Sequence, residues 1–244
     1  MTSLAPAFAE PLLRGRFGRP YLYLARTETT QRMLDAAQPE GAVAVTEEQT
    51  AGRGRMGRRW EAPAGSSLLV STLLRPPPER RASELTLLAG VCVAVVVERA
   101  TGLAAQIKWP NDVMLRRTKV AGILAEARES AVVVGIGVNV NQTREQLPNR
   151  GGSLRTATGL EWDRDAVLDA VLGTLGTRYE QWRVGGLDAV YDGLGSRDFL
   201  RGRSVTVDDT SGTAELIDRD GRLRIAVGHG KSVTVESGEV TYEH

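Results

Sequence analysis

Leu85 to Val97 is an almost unbroken apolar run, opened by the acidic Glu84 and followed by Gly102. Apolar on nearly every side, such a run is unstable in water. It predicts a helix buried against a sheet, capped at Ser83 and stopped by a left-handed turn at Gly102. Strands to receive it are legible on both sides. Ser67 to Leu74 is apolar enough for burial on both faces, and so is Val132 to Val140. Tyr21 to Ala25 and Ala42 to Thr46 read as further strands, with a helix over Gln31 to Ala37 between them.

Composition narrows the classes. A chain of 244 residues with 41% hydrophobic and 25% charged side chains has the make-up of a folded globular protein, not of a low-complexity one. Lysine and arginine number 31 against 30 acids, so the net charge of +1 lacks the global excess that phosphate-backbone binding requires. The single cysteine, Cys92, lies inside the apolar run and reads as core. The N-terminus shows no signal pattern, and the run Val91 to Val97 is far short of the roughly 20 residues of a membrane span. A cytoplasmic protein without a membrane partner is expected.

Against this neutral background, Gly52-Arg53-Gly54-Arg55-Met56-Gly57-Arg58-Arg59-Trp60 is a concentrated cationic loop. Its glycines allow positive φ and close backbone approach, while its arginines offer planar forks suited to carboxylate and phosphate oxygens. A solvated basic turn or a nucleic-acid contact would use the same residues, so the other stretches decide. Lys108-Trp109-Pro110-Asn111-Asp112 brings an ammonium, an indole, an amide and a carboxylate together at a strand end. A hairpin turning at Arg116-Arg117-Thr118 then delivers Lys119, followed by Ala121 and Gly122, small residues that admit a ligand or neighbouring backbone. Gly135-Ile136-Gly137 opens no helix and lacks a third glycine, which excludes a dinucleotide fingerprint.

The arginine loop, the Lys108 to Asp112 stretch, Lys119 with Ala121-Gly122-Ile123-Leu124, and Gly135-Ile136-Gly137-Val138-Asn139 occur in the order and spacing of the biotin protein ligases, which the chain resembles from Tyr21 onward. The resemblance implies an α/β fold: a mixed sheet with flanking helices, akin to class II aminoacyl-tRNA synthetases, over residues 21–196. A small SH3-like barrel over 197–244 follows, and residues 1–20 form an irregular lead. It implies activation of biotin by MgATP to biotinyl-5′-AMP, then transfer to a lysine of a biotin carboxyl carrier protein of an acyl-CoA carboxylase. By the same resemblance Arg53 and Arg55 lie along the biotin carboxylate and the adenylate phosphate, with Lys119 beside them. Arg58 and Lys108 face the triphosphate. Trp60, Asn111, Asp112 and Asn139 border the nucleotide, with Asp112 as a Mg²⁺ partner. Thr29, Thr30, Gln31, Gln49 and Gly54 belong to the biotin site, where Thr29-Thr30-Gln31 replaces the family's usual Ser-Thr-Asn yet keeps hydroxyl, hydroxyl and amide in sequence. Met56 to Arg59 and Gln142 to Ser153 are expected to be mobile without ligand and to order over the adenylate.

Beyond Asp163, apolar residues at helical spacing lead to Trp182, Gly185-Gly186 breaks the chain, and a short helix is expected over Leu187 to Tyr191. Short strands at Ser204 to Val207, Ala214 to Ile217, Leu223 to Val227 and Ser232 to Val235 suit a small barrel. His229 reads as a turn residue. The stretch before Tyr21 is too short for a winged-helix domain, so no DNA partner is expected. A lipoate or other acyl-acid ligase on the same fold is the nearest enzyme alternative; a binding module without catalysis leaves the clustered cations unexplained. Exposed strand edges suit a homodimer and a transiently docked carrier domain equally.

Overall fold

Seven strands form the sheet that the buried helix requires. A computed structural model describes residues 3–243; His244, to which the sequence assigns no role, lies outside them. The strands are β1 (Tyr21–Thr27), β2 (Val43–Gln49), β3 (Ser67–Leu74), β4 (Ala105–Lys108), β5 (Asp112–Leu115), β6 (Thr118–Arg128) and β7 (Ala131–Asn139), in the order β1-β2-β3-β7-β6-β5-β4. The β1–β2 pair is parallel and every other pair antiparallel, so the sheet is mixed as expected.

Before the sheet, the lead segment is less irregular than its prolines suggest. It forms a short helix α1 (Pro6–Ala9) and a 3-10 turn over Glu10–Leu12, and buries Leu4, Ala9 and Phe17 in the main core. Leu4 N–H donates to Glu47 Oε1 at 2.8 Å, tying the segment to β2.

The apolar run is helix α2 (Glu84–Thr101), ended by Gly102 at φ 68°. Burial of its leucines and valines contributes roughly 1.5–3 kcal/mol per side chain. Ser83 is not the expected cap: it is already helical and makes no side-chain capping bond. Backbone turns from Arg81 and Ala82 lead straight into the helix, and Glu84 instead accepts a 2.7 Å hydrogen bond from Trp182 Nε1. Trp182 lies on α4 (Arg164–Gly185), which follows the short α3 (Leu154–Thr158) and packs with α2 on one face of the sheet. After Gly186 a 3-10 turn and α5 (Tyr191–Gly195) replace the helix expected over Leu187 to Tyr191.

The predicted Gln31 to Ala37 helix is also shorter, a 3-10 turn over Thr30–Met33. Side chains of Thr30 and Gln31 bond to the sheet, and Asp35 and Gln38 bond to backbone N–H groups in a local turn, so further helical hydrogen bonds lose the competition.

The C-terminal strands β8 (Ser204–Val207), β9 (Thr210–Ile217), β10 (Leu223–Gly228), β11 (Lys231–Val235) and β12 (Val240–Tyr242) form a five-stranded antiparallel sheet. β12, at three residues, is too short for periodicity to reveal. The connection into this sheet covers the edge of β4: Ile107 N–H donates to Arg197 O at 2.7 Å and Phe199 N–H to Ile107 O at 3.0 Å. Buried Asp198 accepts from Leu200 N and Ile217 N, locking the two sheets together, and burial raises its pKa.

Candidate functional site

Register gathers the chemistry on one face. Lys108, Asp112, Gly122, Gly137 and Leu69 are successive cross-strand partners on β4, β5, β6, β7 and β3, forming one row across the sheet. Leu124, Gly135 and Ser71 form the next row on the same face. The residues between them, such as Val70, Ile123 and Ile136, belong to the core on the helix side.

Glycine in these rows makes room for side chains. A Cβ on Gly137 would lie 2.6 Å from the Trp60 ring, and one on Gly122 would lie 2.8 Å from it, so the indole rests flat on both positions. A Cβ on Gly135 would lie 3.0 Å from Gln31 Nε2. Trp60 thereby stands between two cavities, one reaching Thr30, Gln31 and Arg55, the other reaching Met114, Asn139 and Tyr242. Its Nε1 is buried without a hydrogen-bond partner among the described residues, a donor left for a ligand.

The arginine loop is a tight, self-bonded hairpin. Gly54 N–H donates to Arg58 O at 2.8 Å, Trp60 N–H to Gly52 O at 2.9 Å, and Arg53 bridges Arg59. Only Gly57, at φ 74°, uses the positive φ expected of these glycines; Gly54 is extended, and Gly52 is needed because Trp60 O and Gln49 Nε2 press against its missing side chain. The Gly54 amide therefore serves the loop rather than an anion. Met56 at the tip has φ 55° and is exposed, a conformation that strains a non-glycine residue.

Carboxylates hold three of the five predicted cations. Arg53 pairs with Glu126 at 2.9 Å, Lys119 Nζ lies 2.6 Å from Asp112 Oδ1, and Arg58 pairs with Glu239. Lys119 Nζ also sits 5.6 Å from the Trp60 ring centre. Among the described residues, Arg55 and Lys108 have no acid within ion-pair distance. Burial lowers the pKa of each; Asp112 partly opposes this for both, while Arg58 adds to it. Lys108 is covered instead by the Tyr242 ring, 5.2 Å away.

The predicted polar residues at the other end converge. Thr30 N–H donates to Gln49 Oε1 at 2.8 Å, Thr30 Oγ1 lies 2.7 Å from Ser71 Oγ, and Gln31 Nε2 donates to Leu124 O at 2.9 Å, all beside buried Thr29. Asn111 and Asn139 are more structural than their assignments imply. Asn111 Nδ2 donates to Ile123 O at 3.0 Å; Asn139 Nδ2 donates to Gly152 O at 2.9 Å, and its Oδ1 accepts from Gln142. Trp109, which the sequence offers as an indole able to stack, is buried, and its Nε1 donates to Gly221 O in the turn between β9 and β10 at 2.9 Å. It is a joint between the sheets. Sequence reasoning missed Ser71, Glu126, Glu239 and Tyr242, whose relevance arises from register and from the way the C-terminal sheet closes over the loop.

Residues 23–142 match the Biotin/lipoate A/B protein ligase family. Over 225 residues the chain is 36% identical to the biotin–acetyl-CoA-carboxylase ligase of Mycobacterium tuberculosis, a match spanning 86% of this chain and 82% of that protein. It is also 36% identical over 173 residues to the bifunctional ligase/repressor BirA of Bacillus spizizenii, covering 67% of this chain but 53% of that protein, so it spans about half that relative's length. The biotin protein ligase from Aquifex aeolicus, solved in complex with biotin and ATP, is similar with a TM-score of 0.81 at 28% identity, covering 91% of this chain and 97% of that one.

Proposed function

The chain belongs to the biotin protein ligases, and we propose that it activates biotin with MgATP as biotinyl-5′-AMP and passes the biotinyl group to one lysine of a biotin carboxyl carrier protein. The observation that carries this reading is the cation cluster of Arg53, Arg55, Arg58, Lys108 and Lys119 around a glycine-floored face, with Arg55 and Lys108 paired to no acid among the described residues. Two anions about 4 Å apart repel by about 4 kcal/mol at an effective dielectric near 20, and the cations offset this.

A carboxylate oxygen of biotin attacks the α-phosphorus, the bond to the bridging oxygen breaks, and pyrophosphate leaves. The neutral ε-amine of the acceptor lysine then attacks the acyl carbonyl, AMP leaves, and the amine proton goes to solvent. Arg53, Arg55 and Lys119 line the acyl-phosphate region, while Arg58 and Lys108 face the β- and γ-phosphates. Thr29, Thr30, Gln31, Gln49 and Gly54 line the biotin end, where polar partners satisfy the ureido group. Trp60, Asn111, Asp112 and Asn139 border the nucleotide, whose body extends from the cavity that holds Arg58 and Asn111 past Trp60 and Lys108 into the adjoining cavity of about 480 Å³, lined by Trp60, Lys108, Asp112 and Asn139.

No group of three or more metal-binding side chains occurs among the described residues, and Asp112 is occupied by Lys119. A Mg²⁺ ion entering with ATP would therefore depend mainly on phosphate and water, with Asp112 exchanging Lys119 for the ion, and would supply charge neutralisation at the phosphates. Residues 21–196 act as the catalytic unit and 197–244 as a second unit, in the cytoplasm. Among the described residues no helix is long and apolar enough to cross a membrane.

Incubating the protein with MgATP, labelled biotin or lipoate, and a carrier fragment tests the assignment. Label from biotin should appear on AMP and then on the carrier; label from lipoate alone would transfer the assignment to the other branch of the family.

A further inference from the structure

The two cations placed against the β- and γ-phosphates are the two that the C-terminal sheet holds. Arg58 pairs with Glu239, just before β12, and Lys108 lies under Tyr242 of β12, whose ring packs edge-on against Phe199 at 5.3 Å. Gly238, Glu239 and Val240 line the same cavity as the arginine loop. Glu239 also acts electrostatically on Lys108, and Asp208 of the C-terminal sheet acts on Arg55. The C-terminal sheet therefore presents its acids to the cations that a polyphosphate requires.

We propose that Glu239 is a built-in counter-ion that a nucleotide polyphosphate displaces from Arg58, so that nucleotide binding loosens the β12 end of the C-terminal sheet from the arginine loop. This rests on the nucleotide reading above. Without ligand, Arg55, Arg58, Lys108 and Lys119 repel one another; one carboxylate beside Arg58 relieves that repulsion and ties the loop to the C-terminal sheet. When phosphate oxygens arrive, the same carboxylate faces a polyanion and becomes the repelled group. Both side chains are about half exposed, 57% for Arg58 and 49% for Glu239, so the pair is weak enough to exchange. Charge is the operative property: Asp keeps it on a shorter arm, and Gln removes it with the shape retained.

Calorimetric titration with a magnesium complex of an ATP analogue carrying a methylene between the α- and β-phosphates provides the test, using the wild-type chain, Glu239→Gln and Glu239→Asp. Glu239→Gln should bind about twofold to fivefold more tightly at low salt, with the gain shrinking at high salt, and Glu239→Asp should stay near wild type. In the wild-type chain, hydrogen exchange over 238–243 should rise when the analogue binds. Equal or weaker binding by Glu239→Gln, or unchanged exchange in that segment, overturns the proposal while leaving the nucleotide site in place. A wild-type chain that binds no analogue removes the nucleotide reading and this inference together.

Discussion

Gly137 lies beneath Trp60 so closely that a Cβ there would come 2.6 Å from the indole ring. The glycine sets the height of the ring between the two cavities. Gly137→Ala should lift the indole, change its fluorescence, and slow adenylate formation by on the order of 10–100-fold. Stability should fall by only about 1–3 kcal/mol, because the ring can move outward. Emission spectra of this variant with and without Trp60→Phe isolate the ring's contribution; an unshifted Trp60 signal with full activity contradicts the packing argument.

Trp109 joins the sheets by ring burial and one hydrogen bond to Gly221 O. Trp109→Phe keeps most of the ring and should cost about 1 kcal/mol. Trp109→Ala should cost about 3–5 kcal/mol. Urea unfolding followed by circular dichroism separates the two, and equal losses would assign the joint to the hydrogen bond alone.

Burial lowers the Lys108 pKa, with Lys119 and Arg58 adding to the effect and Asp112 opposing it. The ammonium is present below that lowered pKa and lost above it, so ATP affinity should fall as pH rises, with an inflection below the ordinary lysine range. Lys108→Arg, which stays charged, should abolish that inflection. Binding titrations across alkaline pH measure this.

Met56 and Gly57 both adopt positive φ at the exposed tip of the arginine loop. Saturating biotinyl-AMP should slow hydrogen exchange over Met56 to Arg59 as the loop closes over the ligand. The 142–153 segment should show smaller protection near Gly151, because Lys119 N–H already donates to Arg150 O and Gly152 N–H to Lys119 O without ligand. Unchanged exchange at the loop tip would remove the lid role.

The sequence discloses much of this architecture because local patterns and tertiary burial agree over Ser67 to Leu74, over the α2 run and along α4. It is less informative at Gln31 to Ala37, where side chains bond across to β3 and β6 and shorten the helix, and at Ser83, where the preceding turn removes the need for a cap. Lys108, Asp112 and Lys119 are legible because each stands at a strand end beside Pro110 or the hairpin turn. Ser71, Glu126 and Glu239 are not: each reaches the site through register or through a fold-back of distant chain, which no local period encodes. The burial of the Trp109 indole is hidden from the sequence because its partner, Gly221, lies 112 residues away.

The most direct measurement is biotin-dependent pyrophosphate release from MgATP by the wild-type chain and Arg55→Ala, with thermal unfolding of both. Arg55 is half-buried, pairs with no acid among the described residues, and faces the cavity that holds the other cations. Release should drop by on the order of 10²–10³-fold in the variant with the unfolding temperature nearly unchanged. Wild-type release rates in a folded Arg55→Ala would contradict the claim that this cationic loop brings the two anions together.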